Sequence, residues 1–232
     1  MRLELGRPVR CADDALRELA DVVIDSGGRR VTHLVVRPHK RPEAARLVPL
    51  ELVELDASRS GQVSLRCTEA LLEELEPVHE FAYLLPGQQP EEDPKWDVGV
   101  EDMYPAQLYD PSDFGVSVRD VDLGVGVFYD RVPRGEIELR HASSVYSADR
   151  HRVGQVEGLV LDERDHVTHL LVERGHLWWR REIAVPGDAV STFETDLVTL
   201  SVPKSGLRDF SSRRLRKRVP AEVRKQTERR MT

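Results

Sequence analysis

A chain of 232 residues has room for one large domain or two small ones, and 40% hydrophobic with 32% charged residues excludes the apolar-poor composition of a disordered protein. No run approaches the roughly eighteen continuous apolar residues a bilayer span requires. The opening MRLELGRPVRC carries no apolar signal region, so a cytoplasmic protein without a membrane span is expected.

In chain order, the pattern is β. Short runs rich in Val, Leu and Ile, punctuated by turn residues, predict strands near Pro8–Cys11, Leu19–Asp25, Val31–Arg37, Leu47–Val53 and Val63–Cys67. Pro49 has no amide hydrogen and belongs at a strand edge or bulge. The stretch TEALLEEL predicts a short helix with Thr68 as N-cap and Leu71, Leu72 and Leu75 on one face. Cys11 and Cys67, the two cysteines, fall in strands and make neither a disulfide framework nor a metal motif, so partly buried reduced thiols are expected.

Residues 86–135 read as a linker. Between Pro86 and Asp113 there are eight acids and one lysine, and PGQQPEEDPKWD is proline-rich and extended in character. The later FGVSVRDVDLGVGVFYDRV has strand character. The linker also holds six of thirteen aromatic residues (Trp96, Tyr104, Tyr109, Phe114, Phe128 and Tyr129), which are expected to pack across the flanking domains.

The β pattern then recurs. LADVVIDSGGRRVTHLVVRPH (Leu19–His39) lies over VEGLVLDERDHVTHLLVERGH (Val156–His176), LVPLELV over AVPGDAV, and VSLRC over VTLSV. Internal likeness of this extent indicates duplication. The second set of strands is predicted near Ser144–Ser147, Val156–Asp162, Val167–Glu173, Arg181–Val190 and Leu197–Val202, followed by a weaker helical turn in PKSGLRDF. Five short strands bury little as an open sheet, so closure into a barrel with the helix at one end is expected.

The chain ends in a basic segment. From Gly206 to Thr232 ten Lys or Arg stand against three acids, a local charge of 10 − 3 = +7, and the total of −7 leaves −7 − 7 = −14 for the remainder. Arg213, Arg214, Arg216, Lys217 and Arg218 form the densest cluster, able to hold phosphates by charge alone. No aromatic follows Phe210, so a base-stacking platform is missing from this tail.

The strand ending in Asp, the following VTHLLVERGHLWWRREIAVP and the final LVTLSV resemble the PRC-barrel family. The likeness covers Glu136–Phe210 and, less closely, Met1–Leu85. That family includes the C-terminal module of a ribosome maturation factor and the cytoplasmic domain of the photosynthetic reaction-centre H subunit. The resemblance implies an all-β fold of two small PRC-type barrels in tandem, each with a short terminal helix, and a binding or scaffolding role without catalytic residues. This chain departs from both relatives. It lacks the membrane helix of the reaction-centre subunit, and a second PRC-like copy stands where the ribosome factor has a different module.

The expected organisation is therefore a first barrel over 1–85, an acidic, aromatic-containing linker over 86–135, a second barrel over 136–210 and a basic, disordered tail over 211–232. Trp178 and Trp179, adjacent in a strand, face opposite sides, and with Arg174, Arg180 and Arg181 they form the candidate partner surface. The tail cluster is the candidate nucleic-acid or anion site, and RNA or ribosome contact the alternative function; homo-oligomerisation stays open. His166, His169 and His176 gather near one hairpin, but strand alternation splits them between faces. His33 and His169 recur at matched positions and read as structural residues, so no metal or cofactor is expected. No nucleophile elbow, phosphate loop or dinucleotide fingerprint occurs. The strand-end acids Asp25 and Asp162 read as bonding local amides, so no enzyme is expected.

Overall fold

Strand pairing repeats in the same order in two sheets. The structure, a computed structural model, describes residues 1–25, 27, 29–39, 41, 44–55, 63–84, 95–105, 125–175, 181–210 and 212–214. One sheet contains β2 (Arg7–Arg10), β3 (Leu16–Asp25), β4 (Arg30–Arg37), β5 (Arg46–Pro49), β6 (Val53–Leu55) and β7 (Val63–Leu65), ordered β5-β4-β3-β2-β7-β6. The other contains β12 (Ser144–Tyr146), β13 (Arg152–Leu161), β14 (Val167–Arg174), β15 (Arg181–Pro186), β16 (Val190–Phe193) and β17 (Leu197–Leu200), ordered β15-β14-β13-β12-β17-β16, with β18 (Ser212–Arg214) added outside β15. Both orders contain one parallel pair, β2 with β7 and β12 with β17. The architecture is mostly β, with one nearly closed, barrel-like sheet.

Local chemistry explains most element ends. Thr68 caps α1 (Glu69–Glu74), its hydroxyl accepting from the Leu71 amide, and Leu72 is buried beneath it. PKSGLRDF forms a 3-10 helix, Lys204–Asp209, with Leu207 buried. The strands expected to run continuously over Leu47–Val53 and Arg181–Val190 are each broken. Pro49 and Pro186, with φ of −58° and −55°, end β5 and β15 and start 3-10 turns at Leu50–Leu52 and Gly187–Ala189. A residue with fixed φ and no donor cannot continue the ladder, so the chain turns there to reach the next strand. Cys11 and Cys67 are free thiols, both buried, and burial pushes both above the usual thiol range.

Pairing also crosses the boundaries expected at residues 85 and 136. β1 (Arg2–Glu4) leaves the first sheet and pairs with β13, Leu3 opposite Leu159. β11 (Glu136–Leu139) leaves the second and pairs with β3, Leu139 opposite Val22. The start of β4 and the start of β14 meet as well. Val31 donates its amide to Asp165 O at 3.0 Å, and Val167 donates to Arg29 O at 3.0 Å, around the bridge Arg30–His166. Leu3, Leu139, Leu19, Leu34, Leu159 and Leu170 consequently share one hydrophobic core. Neither half is closed by its own strands alone.

A third sheet, ordered β8-β10-β9, is built from β8 (His79–Leu84), β9 (Trp96–Pro105) and β10 (Val125–Pro133). Strand character in the later linker corresponds to β10; β8 and β9 were not anticipated. Trp96 and Val132 cover Ala20, Val23, Val35, Ala45, Leu47 and Val78, an apolar patch apart from the main core. The Arg131 guanidinium stands 4.9 Å over the Trp96 ring. The side chains of the five other linker aromatics lie outside the described residues.

Where β11 releases β3, Asp21 accepts the His141 amide. Burial pushes its carboxyl above the usual range, outweighing that bond and the nearby Arg37, Arg140 and His141. A raised acid favours folding below its unfolded pKa of about 3.9, and that contribution is lost as pH rises through the folded value. Asp21→Asn keeps an acceptor for the amide and removes the buried charge. It is expected to be more stable than wild type at neutral pH, with the difference shrinking toward pH ~3. Urea unfolding at both pH values checks this, and a pH-independent difference would contradict it.

Candidate functional site: an arginine-rimmed groove

Strand register brings separate arginines into one row. Across β14 and β15, Arg174 lies opposite Arg181, and across β15 and β18, Arg181 lies opposite Arg214. Because strand side chains alternate, Arg174 and Arg181 continue the face that carries Val172 and Ile183, beyond the end of the core. Glu173 and Glu182 face the other way and are buried. Glu182 is held there by Arg2 of β1, which donates to both carboxylate oxygens at 2.8 and 2.7 Å.

Between this sheet corner and the 3-10 helix runs a groove of about 440 Å³. Arg174, Arg181 and Arg208 rim it, and Ile183, Leu207 and Phe210 form its floor. Gly175 also lines it, with φ of 112°, a conformation that favours glycine. Ile183 and Leu207 are buried, Phe210 and Arg174 half-buried, Arg181 and Arg208 exposed. Among the described residues no carboxylate forms an ion pair with Arg174, Arg181 or Arg208.

Two clusters read separately from the sequence thus meet at one sheet edge, Arg174 and Arg181 from the partner surface and Arg213 and Arg214 from the basic tail. Trp178, Trp179 and Arg180 lie outside the described residues, as do Arg216, Lys217 and Arg218. Sequence reasoning missed Arg208 and treated Leu207 and Phe210 only as a helical face. Their spacing in PKSGLRDF was visible, but not the groove they line.

A larger cavity, about 800 Å³, opens where the halves meet, lined by His33, Glu51, Glu136, Arg30 and Asp165 among others. The matched histidines have matched partners. His33 Nδ1 lies 3.0 Å from the Thr32 hydroxyl, and His169 Nδ1 lies 3.2 Å from that of Thr168. Each ring therefore bonds the preceding residue of its own strand. The Thr168 hydroxyl reaches across, donating to Val160 O at 2.9 Å, whereas that of Thr32 also contacts the Glu136 carboxylate. Burial pushes the His33 imidazole below its usual range, outweighing the nearby Glu136 and Glu51.

Among the described residues no group of three or more His, Cys, Asp or Glu is arranged to hold a metal ion; His176 lies outside them. Asp25 accepts the Gly27 amide at 3.0 Å, and Asp162 accepts those of Arg164 and His166 at 2.8 and 3.0 Å. Those two bonds hold Asp162 below the usual carboxylate range. No described helix is long and apolar enough to cross a membrane. No protein-family model matches this chain, and a search of curated proteins finds no match either.

Proposed function

We propose that the protein is a non-catalytic binding or scaffolding module, two PRC-type barrels in tandem, that holds a protein partner at the arginine-rimmed corner of its second unit. The recurring sequence, the shared strand order and the reciprocal loan of β1 and β11 support the tandem reading. The observation that carries the function is the groove itself. Three arginines without carboxylate partners among the described residues stand over an apolar floor. Guanidinium forks suit carboxylates, and a buried apolar pocket supplies the anchor on which interfaces depend. Trp178 and Trp179 fall in the sequence between β14 and β15, so they belong to the same proposed surface. The reading assigns no catalytic residue, metal or cofactor and places the module in the cytoplasm.

A second reading, RNA or ribosome contact through Arg213–Arg218, is favoured by the position of β18, which sets Arg214 opposite Arg181 and Arg213 opposite Glu182. Affinity capture from source cells separates the two. Partner proteins are expected with wild type and with a chain lacking 215–232, and are expected to be lost with Arg174→Glu/Arg181→Glu, whose fold is verified by circular dichroism. Partners retained by that variant would remove the corner from contention. Recovery that depends on the tail and is abolished by ribonuclease would establish the second reading instead.

A further inference from the structure

The first sheet provides an internal control for the groove. Arg46 of β5 lies opposite Val36, as Ile183 of β15 lies opposite Val172. Pro77 lies against Arg46, as Ser212 lies against Ile183. In the first unit Arg46 bridges from the sheet to α1, its Nε donating to Glu73 O at 3.2 Å while Nη1 donates to Ala45 O at 3.3 Å. Ile183 has no donor and too short a side chain to make that bridge, and the corresponding space is the groove. Counting from the matched buried leucines, Leu72 and Leu207, the rim residue is Glu73 in one unit and Arg208 in the other. At this point the first unit carries a side-chain bridge and an acidic residue, whereas among the described residues the second has no such bridge and is basic.

We infer that the open groove takes an acidic, extended peptide bearing one apolar anchor, its carboxylates held by Arg174, Arg181 and Arg208 and its anchor seated on Ile183, Leu207 and Phe210. The inference rests on the corner being the partner-binding site and names the partner's chemistry. Charge complementarity selects an anion. The apolar floor selects a peptide over a nucleic-acid backbone, whose phosphates are held by charge and hydrogen bonds and gain nothing from buried isoleucine and leucine. A volume of about 440 Å³ leaves room for one anchoring side chain.

The test uses the full chain and a fluorescein-labelled synthetic peptide of glutamates flanking a single phenylalanine, read by anisotropy, with an oligouridylate of similar charge in parallel. The decisive variant is Ile183→Arg, which copies the first unit's plug while adding positive charge. Peptide binding by wild type, weakened about tenfold or more in both Ile183→Arg and the exposed-rim variant Arg181→Glu, is the expected result. Unchanged or stronger peptide binding by Ile183→Arg would overturn the inference, because a site working by charge alone gains from the extra arginine. So would preference for the oligouridylate, or no binding of the peptide by wild type. If Ile183→Arg fails to fold, substitution of the peptide's phenylalanine by alanine makes the same distinction, with unchanged affinity overturning the inference. Cellular partners lost with Arg174→Glu/Arg181→Glu, but with no affinity for the peptide, would leave the corner standing and refute only its proposed occupant.

Discussion

Leu3→Ala and Leu139→Ala are each expected to lower stability by about 3 kcal/mol, although both residues lie in strands of three or four residues at the starts of their units. Each leucine is fully buried in the shared core, and each reaches it through a sheet belonging to the other half of the sequence. Truncation removes apolar surface and leaves a cavity that the surrounding sheets, anchored from both sides, cannot close. The effects are expected to be similar in size, because the positions correspond and both side chains lie inside the strand exchange. Urea unfolding of the two variants decides the matter. A cost below about 0.5 kcal/mol, the level of an ordinary surface substitution, for either one would show that its strand is not docked.

Gly158→Ala is expected to cost about 2–3 kcal/mol through crowding rather than loss of contact. A Cβ at this position would run into the Leu3 carbonyl oxygen and stand 3.1 Å from the Glu4 Cα, so β1 would have to move. Backbone cannot swing aside as a side-chain end does. Glycine lets β1 pair as far as Glu4 opposite Gly158 and lets the Leu5 amide reach Glu157 O at 2.9 Å. The counterpart in β3 is Asp21, and there the arrangement differs. Pairing with β11 stops at Leu139 opposite Val22; the Arg140 amide turns away to Thr195 O, and the His141 amide is accepted by the Asp21 side chain instead. One position thus solves the same docking problem twice, by omitting a side chain and by using one. Protection of the Leu5 amide from hydrogen exchange reports the outcome directly. It is expected to fall in Gly158→Ala, whereas that of amides in β2 should hold. Unchanged protection and stability would mean that β1 does not rest on Gly158.

Much of the local structure was legible in the residues. Alternating Val and Leu marked the strands, and the missing amide hydrogen of Pro49 marked a strand edge or bulge, but not that Pro49 and Pro186 would each end a strand in a 3-10 turn. Thr68 announced a cap because its hydroxyl can accept an amide within the same turn. Asp25 and Asp162 announced local amide bonds for the same reason. The recurrence of VTHLVV as VTHLLV placed His33 and His169 at equivalent sites, and the structure gives them equivalent threonine partners. All of these features act over a few residues, so a linear pattern contains the information.

The partners of each apolar face were not legible. Neither β1 nor β11 is among the strands expected from the sequence, and the sheet each joins depends on room at Gly158 and an acceptor at Asp21, far away in sequence. Residues read as a linker cover the first sheet because Ala20, Val23 and Val35 offer an apolar outer surface, while the second sheet buries Glu157 and Glu182. The groove is a tertiary result of the same kind. It exists because register sets Arg174 beside Arg181, and because Ile183 is too short to reach the helix that Arg46 reaches in the other unit. Sequence by itself determined which segments become strands and where they turn, since those preferences are written in neighbouring residues. Tertiary structure alone decided which strands were exchanged and which space was left open, since both depend on the steric fit of backbones and side chains brought together from distant parts of the chain.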